Sequence, residues 1–510
     1  MRNYKSLFYL LLLFSWVSSV GAAESDHMEL DPFSYILVEL GLIIAAVVVG
    51  HILAQRLALP AILGELLIGL AIGNLLYWSG LSPLFFLIMH LGDASLLFRE
   101  VWVTGASVVQ AASNIFPPQE LEPGGVGDRL INILVGDEGP GFLLMGSALW
   151  HFSNLGILFL LFKVSLGVRI EELLAARRHS LFLALSGLLA ALGMGWLVAG
   201  WLLPEAAWSA HFLLASGLIS TSASIAIPLL AVFERRYPEV ARVVIGAILI
   251  DDVLAIALIS SAATFVQSGD QSLLSLIPGL LGVGLFFSVI LYLCRKAPTW
   301  ELPWLDDMDE YQAKLLLPLG LAFFMAWFAN LLHLSSILGI FGAGLVLNSL
   351  NLEKRCQGRV SVQDLVRPLA RVFAPIFFVL LGMQIDLGGF LSFKVLFMGF
   401  LLTAAAIGAK LLGGYLTSKG VEGTLLGWAM VPRGEVALIV VAMGKSLGVI
   451  TDDAYAAFML MVMASMVLAP VMLQKTMEEM EESVTEGEVE AEATTAAQPP
   501  EEPEPLPLKE

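Results

Sequence analysis

Two adjacent acids, Asp251 and Asp252, stand in the middle of the apolar stretch VIGAILIDDVLAIAL at 244–258. Lys410, Arg433 and Glu435 lie at similar depth in other apolar stretches. A charge at the bilayer centre costs about 2.5–3.5 kcal/mol on insertion scales, so each of these residues needs a partner or a purpose. Neutralising ion pairs are a sufficient account of Arg433 and Glu435, but a poor account of two acids side by side. Neighbouring helical residues point about 100° apart, so one aspartate can face a charged partner while the other faces an aqueous cavity. Lys410 is the natural partner, because an unpaired ammonium at that depth is costly. Low dielectric and a like-charged neighbour then press the cavity-facing acid to take up either a proton or a hard cation, one excluding the other. Competition for one carboxylate is the simplest machine for antiport. The hydroxyls of Thr221 and Ser222, with carbonyls from a broken backbone, would complete a sodium-like oxygen shell.

The elements that hold these residues must be membrane helices. Of 510 residues, 58% are hydrophobic and 14% charged, with mean hydropathy +0.83; a soluble chain could not bury so much apolar surface. The net charge of −18 is concentrated after Lys475, in Glu478, Glu479, Glu481, Glu482, Glu486, Glu488 and Glu490. No basic patch suggests nucleic acid as a partner. Residues 1–22 read as a signal peptide, with Arg2 and Lys5 before an apolar run and small residues Gly21 to Ala23 after it. An uncleaved anchor is the alternative, and the shortness of the run favours cleavage.

Apolar stretches of about 20 residues follow at 34–54, 60–79, 141–163, 180–203, 211–233, 242–266, 272–294, 314–333, 335–351, 372–390, 394–418, 423–445 and 455–475. About thirteen crossings from an outside start place the C-terminus in the cytoplasm, and the excess of Lys and Arg in the resulting inner loops agrees with the positive-inside rule. Cys294 and Cys356 both fall on the inner side, so no disulfide is expected. Residues 80–140 form an extracytoplasmic insert rich in turn residues, whose apolar pieces 81–90 and 95–112 read as interfacial helices or an extra hairpin pair. The acidic tail, 476–510, reads as disordered.

Thirteen segments divide as six, one linker and six, so the two sets of six run in opposite directions, as in an inverted-topology repeat. The fifth and twelfth then correspond, and both are interrupted, by Ser220-Thr221-Ser222-Ala223-Ser224 with Pro228, and by Pro432-Arg433-Gly434-Glu435. Paired interruptions point to discontinuous helices flanking a midplane site, with free carbonyls suited to a cation. Glu65, near the inner end of the second segment, either lines the cytoplasmic entrance or snorkels to the interface. His151, His211 and His333 read as structural. No serine–histidine set, metal cluster or phosphate loop suggests an enzyme, and no cofactor is implied.

The chain resembles the monovalent cation:proton antiporters, in particular their double-aspartate sodium/proton branch, over about 34–79 and 147–475. The residues that carry the resemblance include LPAILGELLIGLAIG at 59–73, GVRIEEL at 167–173, ISTSASIAIP at 219–228, the aspartate stretch, ILGIFGAGLVL at 337–347, FFVLLGMQIDL at 377–387, AIGAKLLGG at 406–414 and MVPRGEVALIV at 430–440. The resemblance implies an all-α inner-membrane homodimer with an elevator-like movement, usually electrogenic. It implies that Asp252 binds the monovalent cation (Na+, with Li+ and K+ as alternatives) or the proton, and that Asp251 pairs with Lys410. Lys163, Gly167 and the long insert depart from the family pattern. A potassium/proton exchanger and a non-transporting sensor on the same scaffold are the rival readings.

Overall fold

The computed structural model describes residues 32–57, 59–80, 83–136, 139–167, 178–222, 226, 238–268, 276–299, 310–332, 334–350 and 361–496. The signal segment, most of the 167–173 motif, Ser224, Pro228, His333, Cys356 and the side chain of Glu435 lie outside the described residues.

Every described regular element is helical. A chain whose solvent is lipid must satisfy its backbone internally, and the helix does so within one segment. In chain order the helices are α1 (Pro32–Leu57), α2 (Ala61–Ser79), α3 (Pro83–Met89), α4 (Leu91–Thr104), α5 (Val108–Ile115), α6 (Val126–Val135), α7 (Gly139–Gly167) and α8 (Arg178–Leu202). Then come α9 (Trp208–Gly217), α10 (Pro238–Ser268), α11 (Leu276–Lys296), α12 (Glu310–Leu331), α13 (Ser336–Ser349), α14 (Val362–Met383) and α15 (Leu387–Phe390). The last are α16 (Phe393–Thr417), α17 (Gly420–Ala429), α18 (Glu435–Ser446) and α19 (Asp452–Ala496). Among the described residues, seven helices are long and apolar enough to cross a membrane alone: α1 from Glu39, α2, α7, α8, α14, α16 and α19 up to Met480.

Two boundaries differ from the sequence reading. The apolar stretch at 372–390 is part of a helix that starts at Val362 and stops at Met383. Arg367 and Arg371 lower the hydropathy of its first turns and hide them from a hydropathy count, although Ser361 caps them by accepting from the Asp364 N–H. The tail, expected to be disordered from 476, instead continues α19 to Ala496. Glu, Ala, Met and Lys are good helix formers, and an existing helix supplies the costly nucleus for them.

Close glycine contacts bring the helices together. α2 and α14 meet at Gly69 and Gly382, where a Cβ on either would strike the other helix's backbone. α8 packs on α16 and on α10, and α16 packs on α17 and α19. Turn-rich residues 80–140 fold into α3 to α6, the longest of which has 14 residues, short of the roughly 20 needed to span. Leu84, Phe86, Leu87, Leu97, Ala112 and Leu130 from this segment share a core with Ile43, Ile72, Ile376 and Val379 of α1, α2 and α14. The insert is therefore packed onto the end of the bundle, and α4 also touches α18.

Candidate functional site

The helix α9 ends at Gly217, and residues 218–222 leave the helical conformation. The helix α17 ends at Ala429, and helix resumes only at Glu435. These two interruptions touch. The Ser222 N–H donates to the Pro432 carbonyl at 2.7 Å. Gly434 lies so close to the Ser222 side chain that a Cβ there would collide with it, which explains a glycine at this crossing.

Breaking a helix leaves carbonyls without partners. The Arg433 guanidinium supplies them: one terminal nitrogen donates to Ile219 O at 2.9 Å and Ser220 O at 2.7 Å, the other to Ala406 O at 3.2 Å. The Arg433 side chain is 0% exposed. Its described partners are thus backbone carbonyls rather than an acid, a role that spacing in the sequence did not suggest. Its own N–H donates to Ser465 Oγ at 3.2 Å, which ties the crossing to α19.

The aspartate pair lies beside this crossing, on α10. Lys410 of α16 donates from Nζ to both oxygens of Asp251, at 2.8 and 3.0 Å, and neither side chain reaches solvent. Thr221 Oγ1 lies 2.8 Å from Asp251 Oδ2 and 2.9 Å from Met430 O. Its single proton can serve one acceptor at a time. Asp252 is buried next to Asp251, and Ser220, Thr221 and Ser222 are buried as well. So Asp251, Lys410, Thr221 and Arg433 are brought to one place, with Asp252 and Ser222 adjoining.

A small residue makes room for the lysine. A Cβ on Gly187 of α8 would sit 3.3 Å from Lys410 Cδ, and one on Gly413 would sit 2.8 Å from Gly187 Cα. The α8–α16 contact at these glycines therefore sets where the ammonium lies.

Glu65 is buried elsewhere, on α2, where its carboxylate meets His51 Nε2 of α1 at 3.1 Å. The sequence reading overlooked His51, because a single histidine in an apolar helix gives no signal of its partner. His211 and His151 each hold a backbone carbonyl, Leu203 O at 2.7 Å and Ser147 O at 2.6 Å. Cys294 is buried.

The arrangement can hold a hard cation or a proton on a buried carboxylate beside oxygen donors, with the neighbouring acid already neutralised. The comparisons with known proteins point the same way. Residues 42–479 match the family described as sodium/hydrogen exchanger, transmembrane. The Na(+)/H(+)-K(+) antiporter GerN of Bacillus cereus is 30% identical over 363 residues, which is 70% of this chain and 90% of GerN. The high-affinity Na(+)/H(+) antiporter NhaS3 of Synechocystis sp. is 26% identical over 470 residues, 90% of this chain and 94% of NhaS3. Among solved structures, the sodium proton antiporter MjNhaP1 of Methanocaldococcus jannaschii at pH 8 superposes with a TM-score of 0.57 at 19% identity, covering 88% of this chain and 98% of its own, a likeness of fold. With most of its membrane region matched, this chain belongs to the sodium/hydrogen exchanger family of monovalent cation/proton antiporters.

Proposed function

We propose that the chain is a secondary active transporter that exchanges Na+ for protons across the membrane, with Asp252 as the carboxylate for which cation and proton compete. The observation that carries this reading is the Asp251–Lys410 pair, at 2.8 Å and shut off from solvent. It neutralises one acid of the two, and Asp252 stands beside it as a second buried carboxylate. A cation with oxygen ligands suits a carboxylate beside a hydroxyl-rich interruption. Two interrupted segments at 218–222 and 430–434, crossing next to the acids, support the discontinuous-helix reading. We place the protein in the double-aspartate branch, with about thirteen crossings and the insert outside, working as a homodimer by an elevator-like movement. Lysine and arginine bias in the inner loops supports that orientation.

Inverted vesicles with an acidic interior test the exchange. Na+ added outside should dissipate the proton gradient, and Asp252→Asn should abolish the response while the protein remains folded. A response to K+ alone would favour a potassium/proton exchanger, a reading encouraged by the potassium in the name of GerN. No response to Na+, Li+ or K+ would rule out transport.

A further inference from the structure

The insert carries chemistry that the exchange site does not use. His90 directly precedes α4, Asp93 lies in its first turn, and Asp452 opens α19. One ligand atom from each lies within 4.8 Å of the other two. His90 and Asp452 border a cavity of about 360 Å³ also lined by Arg129, Asp386, Lys445 and Tyr455. None of them belongs to the Asp251–Lys410 constellation.

We propose that His90, Asp93 and Asp452 form a binding site for a divalent transition-metal ion of the Zn2+ class. His90 Nδ1 and Asp93 Oδ2 are 3.4 Å apart. That is long for a charge-assisted hydrogen bond, but close to the edge of a tetrahedron with metal–ligand bonds of about 2.0–2.1 Å, roughly 3.3–3.4 Å. An imidazole with two carboxylates is a ligand set for Zn2+ and its neighbours rather than for Ca2+ or Mg2+, which take oxygen alone. The spacing is held by structure. His90 packs against the Phe86 ring at 4.5 Å, and Phe86 belongs to the core the insert shares with the bundle. Lys445, 3% exposed, holds Asp452 Oδ1 at 2.7 Å, which fixes the carboxylate in place.

The surroundings also favour a cation. Lys394 is paired with Asp453 at 2.6 Å, and the Arg129 guanidinium lies over the Phe86 ring at 5.6 Å. Glu120 adds a further carboxyl close to Asp93 and Asp452. A metal ion here would join α4 of the insert to the first turn of α19, next to the end of α18.

The test uses the purified full-length protein, stripped by chelator and then titrated calorimetrically with Zn2+. One ion per chain is expected. Asp93→Asn and His90→Gln should each weaken binding by at least about tenfold, the smallest effect usual even for outer-shell partners of a metal. Both residues are partly exposed, so their replacement spares the fold better than replacement of Asp452, which would strand buried Lys445. Co2+ added to the stripped wild type should give the intense visible bands of a tetrahedral site, a readout independent of any variant. Absence of Zn2+ binding, wild-type affinity in both variants, or the weak bands of octahedral Co2+ would overturn the proposal.

Discussion

Arg433, on one interrupted segment, donates from its guanidinium to the main-chain carbonyl of Ser220 on the other, at 2.7 Å. With Ile219 O and Ala406 O as further acceptors, a single side chain ties the 218–222 interruption, α16 and the 430–434 interruption together. Each buried carbonyl left without a donor costs about 1–3 kcal/mol. Lysine has donors on a flexible stem and no planar fork, so it cannot serve three carbonyls in this geometry. Arg433→Lys should therefore lower the thermal midpoint in detergent and suppress cation-driven proton flux. A variant that unfolds at the wild-type temperature would show that the tie does not stabilise the crossing.

Removing one member of the Lys410–Asp251 pair leaves the other charged, buried and unmatched, at a cost of about 3–5 kcal/mol. Replacing both with uncharged residues removes both charges together. Lys410→Gln alone should lower the thermal midpoint more than Lys410→Gln with Asp251→Asn. In flux assays the single variant should show weakened or altered coupling between proton and cation movement, because Asp252, the proposed exchanging carboxylate, is still present. A double variant less stable than either single variant would mean the pair does not act as a unit.

Glycines 187 and 413 offer a cleaner perturbation, since neither carries charge. A methyl at Gly413 meets Gly187 Cα at 2.8 Å, so α8 and α16 must move apart. Overpacking of this kind costs about 1–3 kcal/mol. Gly187→Ala meets only the flexible Lys410 side chain, at 3.3 Å. Gly413→Ala should thus lower stability clearly, while Gly187→Ala should keep stability and change transport by shifting the ammonium. Thermal unfolding and vesicle flux on the two variants separate these outcomes, and equal effects on both readouts would refute the distinction.

The residues legible in the sequence were those whose cost is local. Asp251, Asp252 and Lys410 stand out because a charge in an apolar run is expensive whatever surrounds it. The 432–434 interruption is visible because proline and glycine act on their own backbone. What stayed hidden depends on the partner. Nothing near Arg433 in the chain announces that two of its acceptors are carbonyls more than 200 residues away. Likewise, His51 and Glu65 meet only once α1 and α2 are folded together, and His90 reaches Asp452 only because the insert packs onto the bundle. The composition of the tail matches both a disordered acidic segment and an extended helix, and up to Ala496 it takes the helix.

The proposed direct competition at Asp252 fixes the sign of the pH dependence. When one proton and one cation exclude each other from a carboxylate, lowering the pH by one unit raises proton activity tenfold. The apparent KM for Na+ should then rise by roughly tenfold per unit at pH values where the site is mostly protonated, and level off where it is mostly ionised. Saturating Na+ should displace the proton and recover the rate, so the maximal rate should change less than KM. Asp252→Glu keeps a carboxylate and should keep this dependence with a shifted midpoint, whereas Asp252→Asn should have no cation-dependent rate to titrate. Initial rates across a Na+ series at several pH values, in vesicles of one orientation, make the measurement. If KM stays flat while the maximal rate falls with pH, protons act somewhere other than the cation site, and a single shared carboxylate is the wrong mechanism.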